Sequence, residues 1–450
     1  MQRGKLKIPL LVAGLTALAA AALTVPYLLR HGARDWTTSS PAALKAFGAG
    51  LDARMRFYLL EAGTSFRKAL ELDPGFAAAK VQLAAVTVDG DERKRLRKEL
   101  EALDVSGLSD RERFLVEMAR AKREQQAEIS ARYLESRPQD PWALYVAAGQ
   151  AWDREDFTAA SGLYKRLLEV APNWVLARNN LGYLAMAQAH FAEAEEQFRT
   201  YAYVAPDQAN PHDSLGELLS LVGRYDEARA ELERAISIRP DFCASYQHLA
   251  GIALFEGKPA AFPPLAARLA EHCPAEMAAA LACEGRFFAS FISRDFDAPW
   301  RDGFATCAGS AGSRGILFYR VALLAGRRAE ADAEDAAVAK SVEESRKSGY
   351  GKGKARVLQV EALHEQGLRK LDEGDARAAA DLFRAADERA TYWGVDEGRN
   401  KLFNKLNLAV ALDRAGQPQE SEAVLETVRA VNPAFARAYA ALAELTPGPR

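Results

Sequence analysis

Apolar residues along this chain recur at helical spacing. In the run LARNNLGYLAMAQAHFAEAEEQFRTYAYVAP, residues 176–206, they trace two amphipathic helices joined by a turn and closed by a proline. A helix pair this short cannot bury its own apolar face, so the pattern demands neighbours. Comparable runs rich in Ala, Leu, Glu and Arg fill the chain, with Gly and Pro between segments and few β-branched clusters. The predicted fold class is all-α.

The pattern also has a period. Prolines at positions 138, 172, 206, 240 and 274 stand 34 residues apart. Before three of them a small residue precedes a large one by four positions (Ala160 and Tyr164, Ala194 and Phe198, Ala228 and Leu232), and the proline follows eight residues later. Leu181 with Gly182 and Leu215 with Gly216 recur in register, and Ala147 with Ala148 and Leu249 with Ala250 hold the equivalent places. Period, small-to-large pair, Leu-Gly and closing proline resemble the tetratricopeptide repeat, a helix–turn–helix unit of about 34 residues. The resemblance implies a tetratricopeptide-repeat superhelix, an α-solenoid of stacked helix hairpins. The same grammar appears more faintly at Ala62, Phe66, Ala69, Leu72 and Pro74, at Gly367, Gly374, Ala379 and Phe383, and at Gly416, Leu425, Val428 and Pro433. The stretches TTSSPAALKAFGAGL, LSDRERFLVEMARA and ANPHDSLGELLSLVGRYDEA resemble the arrays that follow bacterial serine/threonine kinase or winged-helix regulator domains.

Five stretches are expected. Residues 1–34 form a basic start plus a transmembrane anchor or signal sequence, 40–106 form N-terminal repeat-like helices, and 107–274 form the regular array. Residues 275–354 form an irregular helical region, broken at DAPW and CAGSAGSRG and ending in a GYGKG joint. Residues 355–445 form C-terminal repeats whose period is spoiled by the insertion YWGVDEGRNK, and then a capping helix, AFARAYAALAEL.

Residues 8–29 carry no charge, and about 22 helical residues reach roughly 33 Å, enough to cross a hydrocarbon core. An uncleaved anchor explains why apolar residues continue to Leu29 and stop at Arg30. A cleaved signal peptide would use Arg3, Lys5 and Lys7 as its basic start and the alanines at 19–22 as its cleavage site. The basic excess before the segment places the N-terminus in the cytoplasm. The expected location is a single pass through the inner membrane with an extracytoplasmic array, or release into the periplasm after cleavage. No cysteine precedes Cys243, which excludes a lipid-modified cysteine near the start.

All four cysteines, Cys243, Cys273, Cys283 and Cys307, fall in one segment, and export permits disulfides. Cys243 opens one helix and Cys273 ends its antiparallel partner, which brings those two together and leaves Cys283 with Cys307. Four buried thiols is the alternative.

Fifty-nine basic against 61 acidic residues give a net charge of −2, so no global field draws nucleic acid, and none is expected. The basic clusters around Arg93, Lys94, Arg95, Arg97 and Lys98, and around Arg346, Lys347, Lys352, Lys354 and Arg356, lack interleaved aromatics. They read as a solvated helix face and a mobile loop.

In such a solenoid the first helix of each pair lines the concave wall. On that geometry Trp142, Tyr145, Trp152 and Asp153 project into the groove, followed by Asn179, Asn180 and Tyr183, then Asp213, Ser214 and Glu217, then Gln247 and His248. Aromatic faces beside amides suit a peptide segment or helix, so the expected partner is protein. The resemblance singles out Asn180, since family members that hold extended peptides often place an asparagine just before the Leu-Gly. The basic residues that clamp C-terminal carboxylates in chaperone-binding members are absent from Tyr145, Gly149, Asn179, Tyr183, Asp213 and Glu217.

Six histidines, at 31, 190, 212, 248, 272 and 364, show no metal-ligand spacing, and no Gly-rich phosphate loop follows a strand. His212, Asp213 and Ser214 are neighbours on a helix start and point apart. No cofactor, no metal and no catalysis are expected. The reading is a scaffold for an envelope complex. The alternatives are a sensory subunit working with a separate kinase or transcription regulator, and an accessory factor of polysaccharide or glycosyl-transfer assembly.

Overall fold

A computed structural model describes residues 35–307, 315–347 and 352–435. The expected membrane or signal segment at 8–29, the core of the CAGSAGSRG break, the first part of the GYGKG joint and nearly all of the capping helix lie outside these residues. Among the described residues the ordered elements are helices and turns, and none of the helices is long and apolar enough to cross a membrane.

The chain divides into two compact units, after Pro138. The first contains α1 (Pro41–Met55), α2 (Leu59–Leu72), α3 (Ala77–Val86), α4 (Gly90–Ala102), α5 (Asp110–Arg120) and α6 (Arg123–Ser136). Ser40 caps α1 by accepting the Ala43 N–H, and Pro41 opens the helix where its missing donor is not needed. Phe47 lies 5.7 Å from Phe66 and 4.8 Å from Phe76, centroid to centroid. Val116 of α5 shares a core with Ala77 and Leu100, so α5 packs within the first unit.

The second unit opens with four helix pairs: α7 (Pro141–Asp153) with α8 (Phe157–Val170), α9 (Val175–Ala187) with α10 (Phe191–Val204), α11 (Ala209–Leu221) with α12 (Tyr225–Ile238), and α13 (Cys243–Glu256) with α14 (Phe262–His272). One contact recurs in them. A Cβ on Gly182 would stand 2.4 Å from the Phe198 ring, and one on Gly216 would stand 2.7 Å from Leu232. Gly50 with Phe66 and Gly367 with Phe383 repeat the geometry at 2.5 Å, always sixteen residues apart in sequence. The small residue lets the two axes approach, and the large side chain fills the gap. Each turn between paired helices also needs one left-handed residue, and Glu155, Ala189, Gly223 and Gly257 supply it at the repeat period, with φ between 59° and 82°.

Beyond the regular block come α15 (Ala275–Ile292), the short α16 (Ala298–Arg301), α17 (Ile316–Leu324), α18 (Arg328–Lys347), α19 (Lys352–Asp372), α20 (Ala376–Arg389), α21 (Gly394–Arg414) and α22 (Pro418–Val431). Disulfides join Cys243 to Cys273 and Cys283 to Cys307. The insertion YWGVDEGRNK lengthens a first helix: α21 has 21 residues where α9 and α11 have 13. One apolar core then runs from Ala185 to Phe435.

Replacing Gly182 with Val forces the Phe198 ring to move. The expected cost is about 1–3 kcal/mol, read as a lower denaturation midpoint. Gly162→Ala, at an open helical position, raises it by about 0.5–1 kcal/mol.

Candidate functional site

The first helices α7, α9, α11 and α13 form a wall, and the polar side chains along it bond from one repeat to the next. Asn179 Oδ1 accepts from Ser214 Oγ at 2.9 Å, and Asn210 Nδ2 lies 3.4 Å from it. The Tyr183 hydroxyl donates to Glu217 Oε2. Asp213 Oδ1 accepts from Ser245 Oγ at 2.7 Å and sits 3.0 Å from His248 Nδ1. His248 Nε2 lies 3.8 Å from Glu217 Oε1. Polar groups removed from water must find partners, and here each repeat supplies them to the next.

Charge on this ladder follows from burial. Burial opposes a charge on His248, but Asp213 and Glu217 outweigh it and raise its pKa to about 10. Burial lifts the Glu217 carboxyl above its usual range, opposed by His248 and reinforced by Asp213. Burial, with Glu217 and Asp213 nearby, holds the Tyr183 phenol well above its ordinary value.

The wall at α9, α11 and α13 is in contact with this chain's own α21. Glu217 Oε1 accepts the Val395 N–H at 2.7 Å. No side chain caps α21 from its own N-cap residue, Trp393, so a carboxylate from another helix takes that place. Two glycines allow the approach. A Cβ on Gly394 would stand 2.9 Å from Glu217 Oε1, and one on Gly398 would stand 2.5 Å from Leu221. The next helix hairpin adds Asn432, which donates to the Leu221 carbonyl at 2.9 Å and accepts from the Tyr225 hydroxyl at 3.1 Å. Gly223 has to be glycine twice over, for its φ of 82° and because a Cβ there would lie 2.5 Å from Asn432 Oδ1.

The residues expected to face a partner fall into two groups. Asn179, Asp213 and Glu217 are buried, and Tyr183 and His248 are half-buried, all within the ladder. Trp142 is also buried, edge-on to Trp174 at 5.0 Å. Tyr145, Trp152 and Asn180 remain half-exposed, and Gln247 is exposed. Tyr145 packs on Tyr164 and Trp174, Asn180 Nδ2 donates to the Tyr164 hydroxyl at 2.8 Å, and Trp152 meets the edge of Trp393 at 5.8 Å. Nothing lies within 4 Å of where a Gly149 Cβ would be.

One other expectation changes. Arg356 belongs to no solvated loop: its Nε donates to Glu155 at 2.7 Å and its Nη1 to Glu397 at 3.1 Å, because these carboxylates converge where α21 docks. His212 Nδ1 lies 2.6 Å from Glu231 Oε2, so the ring is directed away from Asp213 and Ser214. Val395, Gly394, Gly398 and Asn432 escaped the sequence reading. The glycine pair four apart in GVDEG was the available signal, since that spacing aligns both on one helix face.

A raised histidine pKa stabilises the fold fully below the ordinary histidine range, and that contribution is lost as pH climbs through the folded value. Between about pH 6.5 and pH 10 the melting temperature is expected to fall. His248→Gln melts lower at the acid end and shows a flatter decline. An unchanged slope in that variant contradicts the assignment.

Residues 212–242 match the family model of the tetratricopeptide repeat. No curated protein matches the sequence. Among solved structures the chain is similar to a tetratricopeptide repeat protein from Parabacteroides merdae, 16% identical over 59% of this chain and 94% of that one, with a TM-score of 0.34. It is similar to YrrB, a tetratricopeptide repeat protein with an unusual peptide-binding site, at 20% identity over 46% and 90% with a TM-score of 0.26. It is also similar to the human IFIT1 dimer with m7Gppp-AAAA, at 12% identity over 88% and 91% with a TM-score of 0.40. Scores this low carry no argument about function, and the assignment rests on the repeat itself. With its 34-residue period, its stacked helix pairs and the repeat matched at residues 212–242, the chain carries tetratricopeptide repeats.

Proposed function

We propose that this chain is a non-catalytic protein–protein interaction scaffold, membrane-tethered or exported, that takes a protein segment on the uncovered part of its wall and helps assemble or regulate an envelope complex. The observation that carries the reading is the open space beside Gly149, bordered by the half-exposed rings of Tyr145 and Trp152 and followed by Asn180. Aromatic anchors next to an amide suit an extended or helical peptide. The stretch covered by α21 is already occupied, so the partner surface contracts to the α7 side. Two disulfides support an oxidising compartment, and the uncharged run at 8–29 supports export or anchoring.

Affinity purification of the full chain from membrane extract, with mass spectrometry, tests the partner surface. Gly149→Trp fills the open space and is expected to lose a partner that wild type and the control Glu196→Trp, on an exposed face of α10, both retain. Equal recovery from all three overturns the surface. Thiol alkylation of the native protein tests the compartment: all four cysteines are expected to resist the reagent until reduced, and free thiols in freshly isolated protein contradict export.

A further inference from the structure

A cavity of about 410 Å³ lies in the second unit where α15, α17, α19 and α21 converge. That volume is within the range of small-molecule sites. Its surface is dominated by rings and aliphatic groups, with Phe287, Phe288, Phe318 and Phe403 around it and Val357 and Val360 along α19. The adjoining Cys283–Cys307 disulfide ties α15 to the segment after α16.

The charged groups facing the cavity are not equivalent. Arg356 is held by Glu155 and Glu397, Arg399 is paired with Asp396 at 2.9 Å, and Arg320 donates to Asn407 at 2.7 Å with its guanidinium over the Phe291 ring. Glu284, on α15 beside Cys283, has no hydrogen bond or ion pair among the described residues. Burial raises its pKa, Arg399 pulls the other way and Asp396 reinforces the rise. A half-buried carboxyl with no donor bonded to it is costly, and a ligand that supplies the donor recovers part of that cost.

We propose that this cavity is a binding site for a small apolar ammonium, whose cationic head pairs with Glu284 and whose hydrocarbon body lies against the surrounding phenylalanines. An ammonium fits where an anion does not. Each of the three arginines already has at least one acceptor, whereas Glu284 has no donor bonded to it among the described residues. Phenylalanine faces add attraction for a cation. The site stands apart from the partner surface at Gly149, so either reading survives failure of the other.

Three isosteric probes separate the charge classes: 3-phenylpropylammonium, 3-phenylpropanol and 3-phenylpropanoate, each titrated calorimetrically into the full chain. The ammonium is expected to bind one-to-one, at least about tenfold more tightly than the alcohol, a difference of about 1.4 kcal/mol. Glu284→Gln removes that preference. Ala280→Trp, which changes an exposed residue at the cavity lining, abolishes binding while leaving the melting temperature near that of wild type. Equal or tighter binding of the carboxylate, an unchanged ammonium affinity in Glu284→Gln, or no saturable binding of any probe overturns the proposal.

Discussion

Glu217 ties the first helices of the array to α21 within the second unit. One carboxylate oxygen takes the Tyr183 hydroxyl from the preceding repeat, and the other takes the Val395 N–H from a helix 178 residues later. A cap of this kind contributes about 0.5–2 kcal/mol where it is exposed, and removing one member of a buried charged network costs more. His248 and Asp213 complete the environment that lets an acid sit there. Around this contact the first helices of the array and the last repeat share one core, with Phe435 edge-on to both Phe255 and Phe403.

The wall therefore has two regions with different chemistry. Along α9, α11 and α13 Asn179, Tyr183, Asp213, Glu217 and His248 are consumed in ordering the chain, and their donors and acceptors face each other or α21. Along α7, Tyr145 and Trp152 are half-exposed beside unfilled space. A scaffold that covers part of its own groove presents a shorter, better-defined surface to a partner. Less conformational entropy remains to be lost when that partner binds.

The repeats were legible because their determinants are local and periodic. Gly182 against Phe198 and Gly216 against Leu232 sit at a fixed offset, and the closing prolines mark each end. The disulfides were legible as far as helix ends can be placed, since Cys243 and Cys273 lie at opposite ends of antiparallel helices. What stayed hidden was contact between distant segments. YWGVDEGRNK looked like a defect in the period, yet it supplies Trp393 to meet Trp152, Tyr392 to meet Phe191, and the two glycines that admit α11. Asn179, Asp213 and Glu217 read as polar residues on a wall, and nothing in their spacing announces that a helix nearly 180 residues away covers them. Arg356 stood among lysines and glycines, and only the fold brings it to Glu155.

Hydrogen exchange by mass spectrometry on wild type and Glu217→Ala tests most directly whether α21 is seated through this carboxylate. The account predicts that exchange rises together in the first turns of α21 and in α11, while the α7–α8 pair keeps its protection. Unchanged protection in α21 would contradict it, because another contact would then be holding the helix in the groove.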